Sequence, residues 1–187
     1  DHAGPTPMRI RHDALVAAAD IIRGVREIPK KIGGDMVSTV GRLDVTPNIP
    51  NAIPGRVSMS IDLRAPDEHH ITRGLGLVDR LVKDVAKAEG VTYQLEHYWR
   101  VPRTRFALEV VDAIEAAVRS LGCGHRRILS GAGHDAQYMA AICPTGMIFV
   151  PSRDGRSHCE EEFTPMDDIE HGANTLLLAA STLAGTP

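Results

Sequence analysis

Apolar positions recur at helical spacing in several stretches of the chain and alternate with polar positions between them. From about Arg11 to Val25, Ala14, Leu15, Ala18, Ile21, Ile22 and Val25 form one stripe, which predicts an amphipathic helix. Pro29 and Gly33-Gly34 are expected to end it. Met36 to Arg42 predicts a strand, followed by Thr46-Pro-Asn-Ile-Pro-Asn-Ala-Ile-Pro-Gly55, where three prolines remove backbone donors and stiffen a loop. Val57, Met59, Ile61 and Leu63 then alternate with Ser58, Ser60, Asp62 and Arg64, the pattern of a strand with one buried face. Pro66-Asp67 opens a second helix with Ile71, Leu75, Val78, Leu81, Val82 and Val85 on its stripe, and Gly90 closes it. Val91, Tyr93 and Leu95 predict a further strand.

The order helix, strand, strand, helix, strand would become a βαββαβ unit with one more strand before residue 1. Such a unit is an antiparallel sheet with both helices on one face and the other face left polar. Residues 1–102 are assigned to it. After Val101-Pro-Arg-Thr, a helix is expected from about Phe106 to Leu121, closed by Gly122. A short strand at Ile128-Leu-Ser, a helix over Asp135–Ile142 and a buried strand over Gly146–Val150 follow. Thr164 with Asp167 resembles a capping box for a last helix carrying Ile169, Ala173, Leu176, Leu177 and Ala180. Alternating strands and helices over 103–187 read as the tail of an α/β domain whose start lies elsewhere.

Composition narrows the classes. Within 187 residues, 43% are apolar and 24% charged, ordinary values for a globular protein with a real core. A formal net charge of -3 with mixed signs argues against a nucleic-acid footprint or a patch for anionic membranes. No apolar run is long enough to span a bilayer. Cys123, Cys143 and Cys159 are odd in number and lack a CxxC, so neither a disulfide framework nor a Cys-rich zinc site is expected, and a reducing, cytoplasmic setting is.

Candidate chemistry gathers in loops. Ser130-Gly-Ala-Gly-His-Asp135 could cradle an anion on its amides, but it lacks both the third glycine of a dinucleotide turn and a following Lys-Ser/Thr. Ser130, His134 and Asp135 could be taken for a hydrolytic triad, yet G-x-S-x-G is absent. The bland alternative is that the glycines permit close packing while Asp135 sits on a helix dipole. In Ser157-His-Cys-Glu-Glu-Glu162, His158 is a possible ligand for a borderline metal, or a solvated loop imidazole beside a wet acidic surface. His2, Asn51 and Arg64 are each ordinary alone. Together they suit an amide or urea and a carboxylate.

His2-Ala-Gly-Pro-Thr-Pro-Met, Asn51-Ala-Ile-Pro-Gly, Asp62-Leu-Arg64, Gly131-Ala-Gly-His-Asp-Ala and Met147-Ile-Phe-Val-Pro-Ser with Ser157-His158 occur in that order. The series resembles the C-terminal half of the hydantoinase/carbamoylase amidohydrolases in the M20 metallopeptidase-like group, which include N-carbamoyl-L-amino-acid hydrolases, allantoate amidohydrolases and β-ureidopropionases. The resemblance implies an α/β chain whose βαββαβ unit is a lid and homodimerisation domain, followed by the C-terminal segment of a metallohydrolase catalytic domain. It implies two divalent transition-metal ions (zinc, manganese, cobalt or nickel), with His158 as a ligand. It also implies that His2 polarises the scissile carbonyl, often in the partner subunit's site, and that Asn51, Arg64 and Gly133 bind a small ureido carboxylate, Arg64 at the carboxylate. Pro5 and Glu160 depart from the residues usual at their positions, Thr and Pro. In the family the remaining metal ligands and the glutamate base lie in an N-terminal half. This chain alone is therefore expected neither to assemble the metal pair nor to turn over substrate. Competing expectations are a peptidase or aminoacylase of the same group, and a non-catalytic dimerisation or binding module.

Overall fold

The structure, a computed structural model, describes residues 1–185 and divides into two compact units that meet in sequence between Arg103 and Thr104. In the first, Asp13 caps helix α1 (Ala14–Ile32) by accepting from the amides of Leu15 and Val16 at 2.9 and 3.2 Å. The helix runs through Pro29 instead of stopping there. Proline lacks the N–H that would bond the carbonyl of Val25 one turn back, and the Ser38 hydroxyl donates to that carbonyl at 2.9 Å. With the orphaned acceptor satisfied, the last turn persists until Gly33, whose φ of 76° ends it.

Strands β1 (Val37–Thr46) and β2 (Arg56–Arg64) form an antiparallel hairpin from Val37 opposite Arg64 to Thr46 opposite Arg56, with Gly41 as the extra residue of a bulge. Helix α2 (Glu68–Glu89) is capped by Asp67 and closed by Gly90 in the left-handed region at φ 64°. Both helices pack on one face of the hairpin. Their seam holds Ile21, Val25, Ile28, Met36, Val78 and Val82, with Met59, Ile61 and Leu63 packed against it, so the alternation read along β2 is realised as a buried face. At Gly24 the helices approach so closely that a Cβ would lie 2.5 Å from Leu81 Cδ1.

The second unit is built on helices α3 (Leu108–Ser120) and α5 (Met166–Leu183), which pack together through small residues, Ala117, Thr175 and Ala179 being buried. Between them lies the single-turn helix α4 (Ala136–Met139), shorter than the expected span to Ile142. The mixed α/β class is as expected, but several local expectations differ. Val91–Leu95, Ile128–Ser130 and Gly146–Val150 belong to no sheet among the described residues. Alternation reports which side chains face an apolar surface, whereas a strand also requires a neighbour for its ladder bonds. The Thr164–Asp167 capping box does not form, because Pro165 occupies the cap position of α5 and no side chain bonds there. Leu176 and Leu177 are 60% and 64% exposed, so α5 turns its small residues, not its leucines, toward α3.

Candidate functional site

The first unit carries three of the predicted site residues, and the fold brings two of them together. The initial segment runs antiparallel to the proline-stiffened loop. The Ala3 amide donates to the Asn51 carbonyl at 2.8 Å, the Ile53 amide donates to the Asp1 carbonyl at 2.9 Å, and His2 bridges Ala52. Ile53 is buried beneath this pairing. His2 and Asn51 are thus neighbours through backbone bonds, with both side chains exposed.

The His2 ring has a defined tautomer. Its Nδ1 accepts from the Gly4 amide at 3.0 Å, which places the proton of a neutral imidazole on Nε2. A Cβ at Gly4 would come within 3.3 Å of His2 Cε1, so a larger residue there would displace the ring by a few tenths of an ångström. Nε2 is therefore the ring's hydrogen-bond donor.

Arg64 stands at the other end of the hairpin. Its partner across the sheet is Val37, whereas the Asn51 loop leaves the sheet beyond the Thr46–Arg56 pair. Eight strand steps separate Arg56 from Arg64, roughly 26 Å at about 3.3 Å per residue. The helix above gives the same picture: the Pro54 carbonyl takes the Ala14 amide at the start of α1, while Ser38 reaches Val25 well along a helix roughly 28 Å long. One hairpin therefore does not bring Arg64 to the His2–Asn51 end.

The guanidinium of Arg64 is held by Asp62, two residues earlier on the same face, with an Nη2–Oδ2 distance of 2.7 Å and Nε at 3.1 Å from the same oxygen. The Asp62 hydrogen bond raises the Arg64 pKa above its ordinary value, so the group is a permanent cation. The i, i+2 spacing of Asp62 and Arg64 was a readable signal for this pairing.

In the second unit, the turn Gly131-Ala-Gly133 is pinned on both sides. Ser130 Oγ lies 2.7 Å from His134 Nε2 and also accepts from the Ala132 amide at 3.2 Å. The His134 amide donates to Gln137 Oε1 at 3.3 Å, and the imidazole packs edge-on against Phe149 with ring centres 5.5 Å apart. Between the two bonded amides, that of Gly133 has no partner among the described residues.

Neither Gly131 nor Gly133 has a positive φ. A Cβ would meet nothing within 4 Å at Gly131 and only Gln137 Oε1, at 3.7 Å, at Gly133. Close packing within the structure, the bland explanation for these glycines, is thus absent. By contrast, Gly146 and Gly172 are packing glycines, where a Cβ would lie 2.8 Å from Val110 Cγ1 and 2.5 Å from Val150 Cγ1. Asp135 precedes α4 without capping it by its side chain.

His158 sits on a stapled loop. The Arg153 amide donates to the Phe163 carbonyl at 2.8 Å, and the Arg153 guanidinium lies 4.4 Å from the centre of the Phe163 ring. Within the loop His158 has φ 57°, uncommon for a residue with a Cβ, and its amide donates to Glu162 Oε2 at 2.8 Å. Among the described residues no group of three or more His, Cys, Asp or Glu side chains is arranged to hold a metal ion.

Comparison with known proteins places this geometry in context. The model of peptidase family M20/M25/M40 matches residues 6–182. An N-carbamoyl-L-amino-acid amidohydrolase of Paenarthrobacter aurescens is 40% identical over 98% of the chain and 44% of its own length. An allantoate amidohydrolase of Bacillus subtilis is 31% identical over 94% of the chain and 43% of its own length. The crystal structure of a hydantoinase/carbamoylase family amidase from Burkholderia vietnamiensis superposes with a TM-score of 0.92 at 41% identity, covering 96% of this chain and 43% of that one. The chain thus spans well under half the length of these relatives.

Proposed function

Because the chain belongs to peptidase family M20/M25/M40, we propose that it forms the lid and C-terminal part of an amidohydrolase that cleaves the ureido C–N bond of N-carbamoyl-L-amino acids or allantoate-like carboxylates. Residues 1–102 serve as the lid and dimerisation domain, and residues 103–187 complete the catalytic domain. The observation that carries the reading is the His2–Asn51 pair, with the imidazole fixed as an Nε2–H donor by Gly4.

A neutral donor of that kind suits the carbonyl oxygen of a urea, where negative charge grows as the carbon becomes tetrahedral. Asn51 offers both donor and acceptor to the same planar group. Arg64, oriented by Asp62, matches the carboxylate, and the open amide of Gly133 supplies a second, neutral contact to an anionic oxygen.

The distance between the His2–Asn51 end and Arg64 supports a homodimer. A ureido amino acid is far shorter than roughly 26 Å, so His2 and Asn51 of one protomer serve the site to which the other protomer brings Arg64. The described residues do not by themselves fit a metal pair. His158 is a single imidazole, so the divalent ions implied by the family (zinc, manganese, cobalt or nickel) require donors beyond these residues. Three free cysteines favour a reducing compartment, hence the cytoplasm. Among the described residues no helix is long and apolar enough to cross a membrane.

A substrate panel on the full-length, metal-loaded enzyme tests the assignment. N-carbamoyl-L-amino acids or allantoate should exceed dipeptides and N-acetyl amino acids in kcat/KM by about 100-fold or more. Preference for the peptide or the acetyl compound would assign the chain to the peptidase or aminoacylase side of the family. No turnover of any of them, with no metal retained, would make it a binding module.

A further inference from the structure

We propose that His134 is a positioning residue that holds the Gly133 amide in line for an anionic substrate oxygen, acting through Ser130. This rests on the carbamoylase reading above and extends it to a residue that has no role in that reading.

Two glycines in three residues give the Gly131-Ala-Gly133 turn a floppy backbone, and a floppy amide is a poor ligand because its orientation must be fixed during binding. Ordinary helix capping does not fix it, since α4 begins only at Ala136 and Asp135 makes no side-chain cap. What does is a side-chain bridge over the turn. Ser130 enters it, His134 leaves it, and their side chains meet at 2.7 Å.

The bridge is itself anchored. The Ser130 hydroxyl also takes the Ala132 amide, Gln137 takes the His134 amide, and the His134 ring is set edge-on against Phe149. Both amides flanking Gly133 are therefore consumed internally while its own is left for a ligand. A serine and a histidine four residues apart, chemically reminiscent of a nucleophile and base, are on this geometry a brace.

Full-length enzyme carrying His134→Ala, Ser130→Ala, the double substitution, His134→Gln and His134→Asn distinguishes a brace from a nucleophile pair or a mere packing contact. The terminal amide of Gln reaches the place of Nε2, whereas that of Asn reaches only the place of Nδ1. KM for an N-carbamoyl-L-amino acid should rise about tenfold in both alanine variants with kcat within about threefold, as expected for a lost ground-state contact. The double variant should be no worse than either single one. Gln should restore KM and Asn should not.

The second readout needs no turnover. Amide exchange at Gly133 should quicken in the alanine and Asn variants and stay slow in the Gln variant. Unchanged KM and unchanged Gly133 exchange in folded alanine variants would overturn the brace. A kcat loss of a thousandfold or more would overturn it in favour of a nucleophile pair. If the unmodified enzyme fails to hydrolyse any ureido carboxylate, the functional reading falls. The exchange comparison still decides whether the brace exists.

Discussion

The two ends of the β1–β2 hairpin carry residues proposed to bind substrate, His2 and Asn51 at the loop end and Arg64 at the other, and are built by different means. At the loop end, His2 and Asn51 are positioned by backbone bonds between the initial segment and residues 51–53, and the imidazole is tuned by the Gly4 amide. At the other end, Arg64 is positioned by a side chain, Asp62, on the same strand face. A backbone-built site is stiff and tolerates few changes in the segment that builds it. An arginine on a strand end presents a planar fork of donors that matches a carboxylate. The loop end thus suits stabilisation of a transition state and the Arg64 end suits capture of an anion.

Substitutions at the two ends should therefore differ in kind. In full-length enzyme, His2→Ala removes the carbonyl donor and should lower kcat by about 100-fold to 1000-fold with a much smaller change in KM. Arg64→Ala should instead raise KM by about 100-fold for carboxylate substrates and leave kcat within about tenfold. Steady-state kinetics check both, and equal effects on the two parameters at both ends would erase the distinction. A smaller effect concerns the scaffold that separates them. Ser38→Ala strands the Val25 carbonyl under Pro29 and should cost about 1 kcal/mol by urea unfolding, with KM affected more than kcat because α1 frays on the Arg64 side.

The parts of this fold legible in the sequence were those governed by burial. The stripe of α2, that of α1 apart from an exposed Leu15 and the unread Ala17 and Ile28, the alternation along β2 and the closures at Gly90 and Gly122 follow from period and from backbone freedom, and each depends on neighbours a few residues away. What was illegible depended on a partner distant in sequence. Pro29 signals a helix end until Ser38 is known to take the freed carbonyl. Val91–Leu95 signals a strand, but no neighbouring strand pairs with it among the described residues. The candidate site divides in the same way. The residue types at His2, Asn51, Arg64, Gly133 and His158 are suited to ureido and carboxylate chemistry and announce themselves by motif. The His2 tautomer, the spacing of Arg64 from His2 and the Ser130–His134 bridge are facts of three-dimensional placement, and only the Asp62–Arg64 pairing had a readable i, i+2 signal.

In the proposed homodimer, one active site draws His2 and Asn51 from one protomer and Arg64 from the other. Mixing full-length His2→Ala and Arg64→Ala under conditions that exchange subunits, with substrate held well below KM so that each variant alone is nearly inactive, tests it. If the claim holds, each mixed dimer contains one intact site, and random reassociation at equal concentrations should restore about a quarter of unmodified activity. If mixed dimers form and activity stays at the level of the separate variants, all three residues serve one protomer's site and the account is wrong.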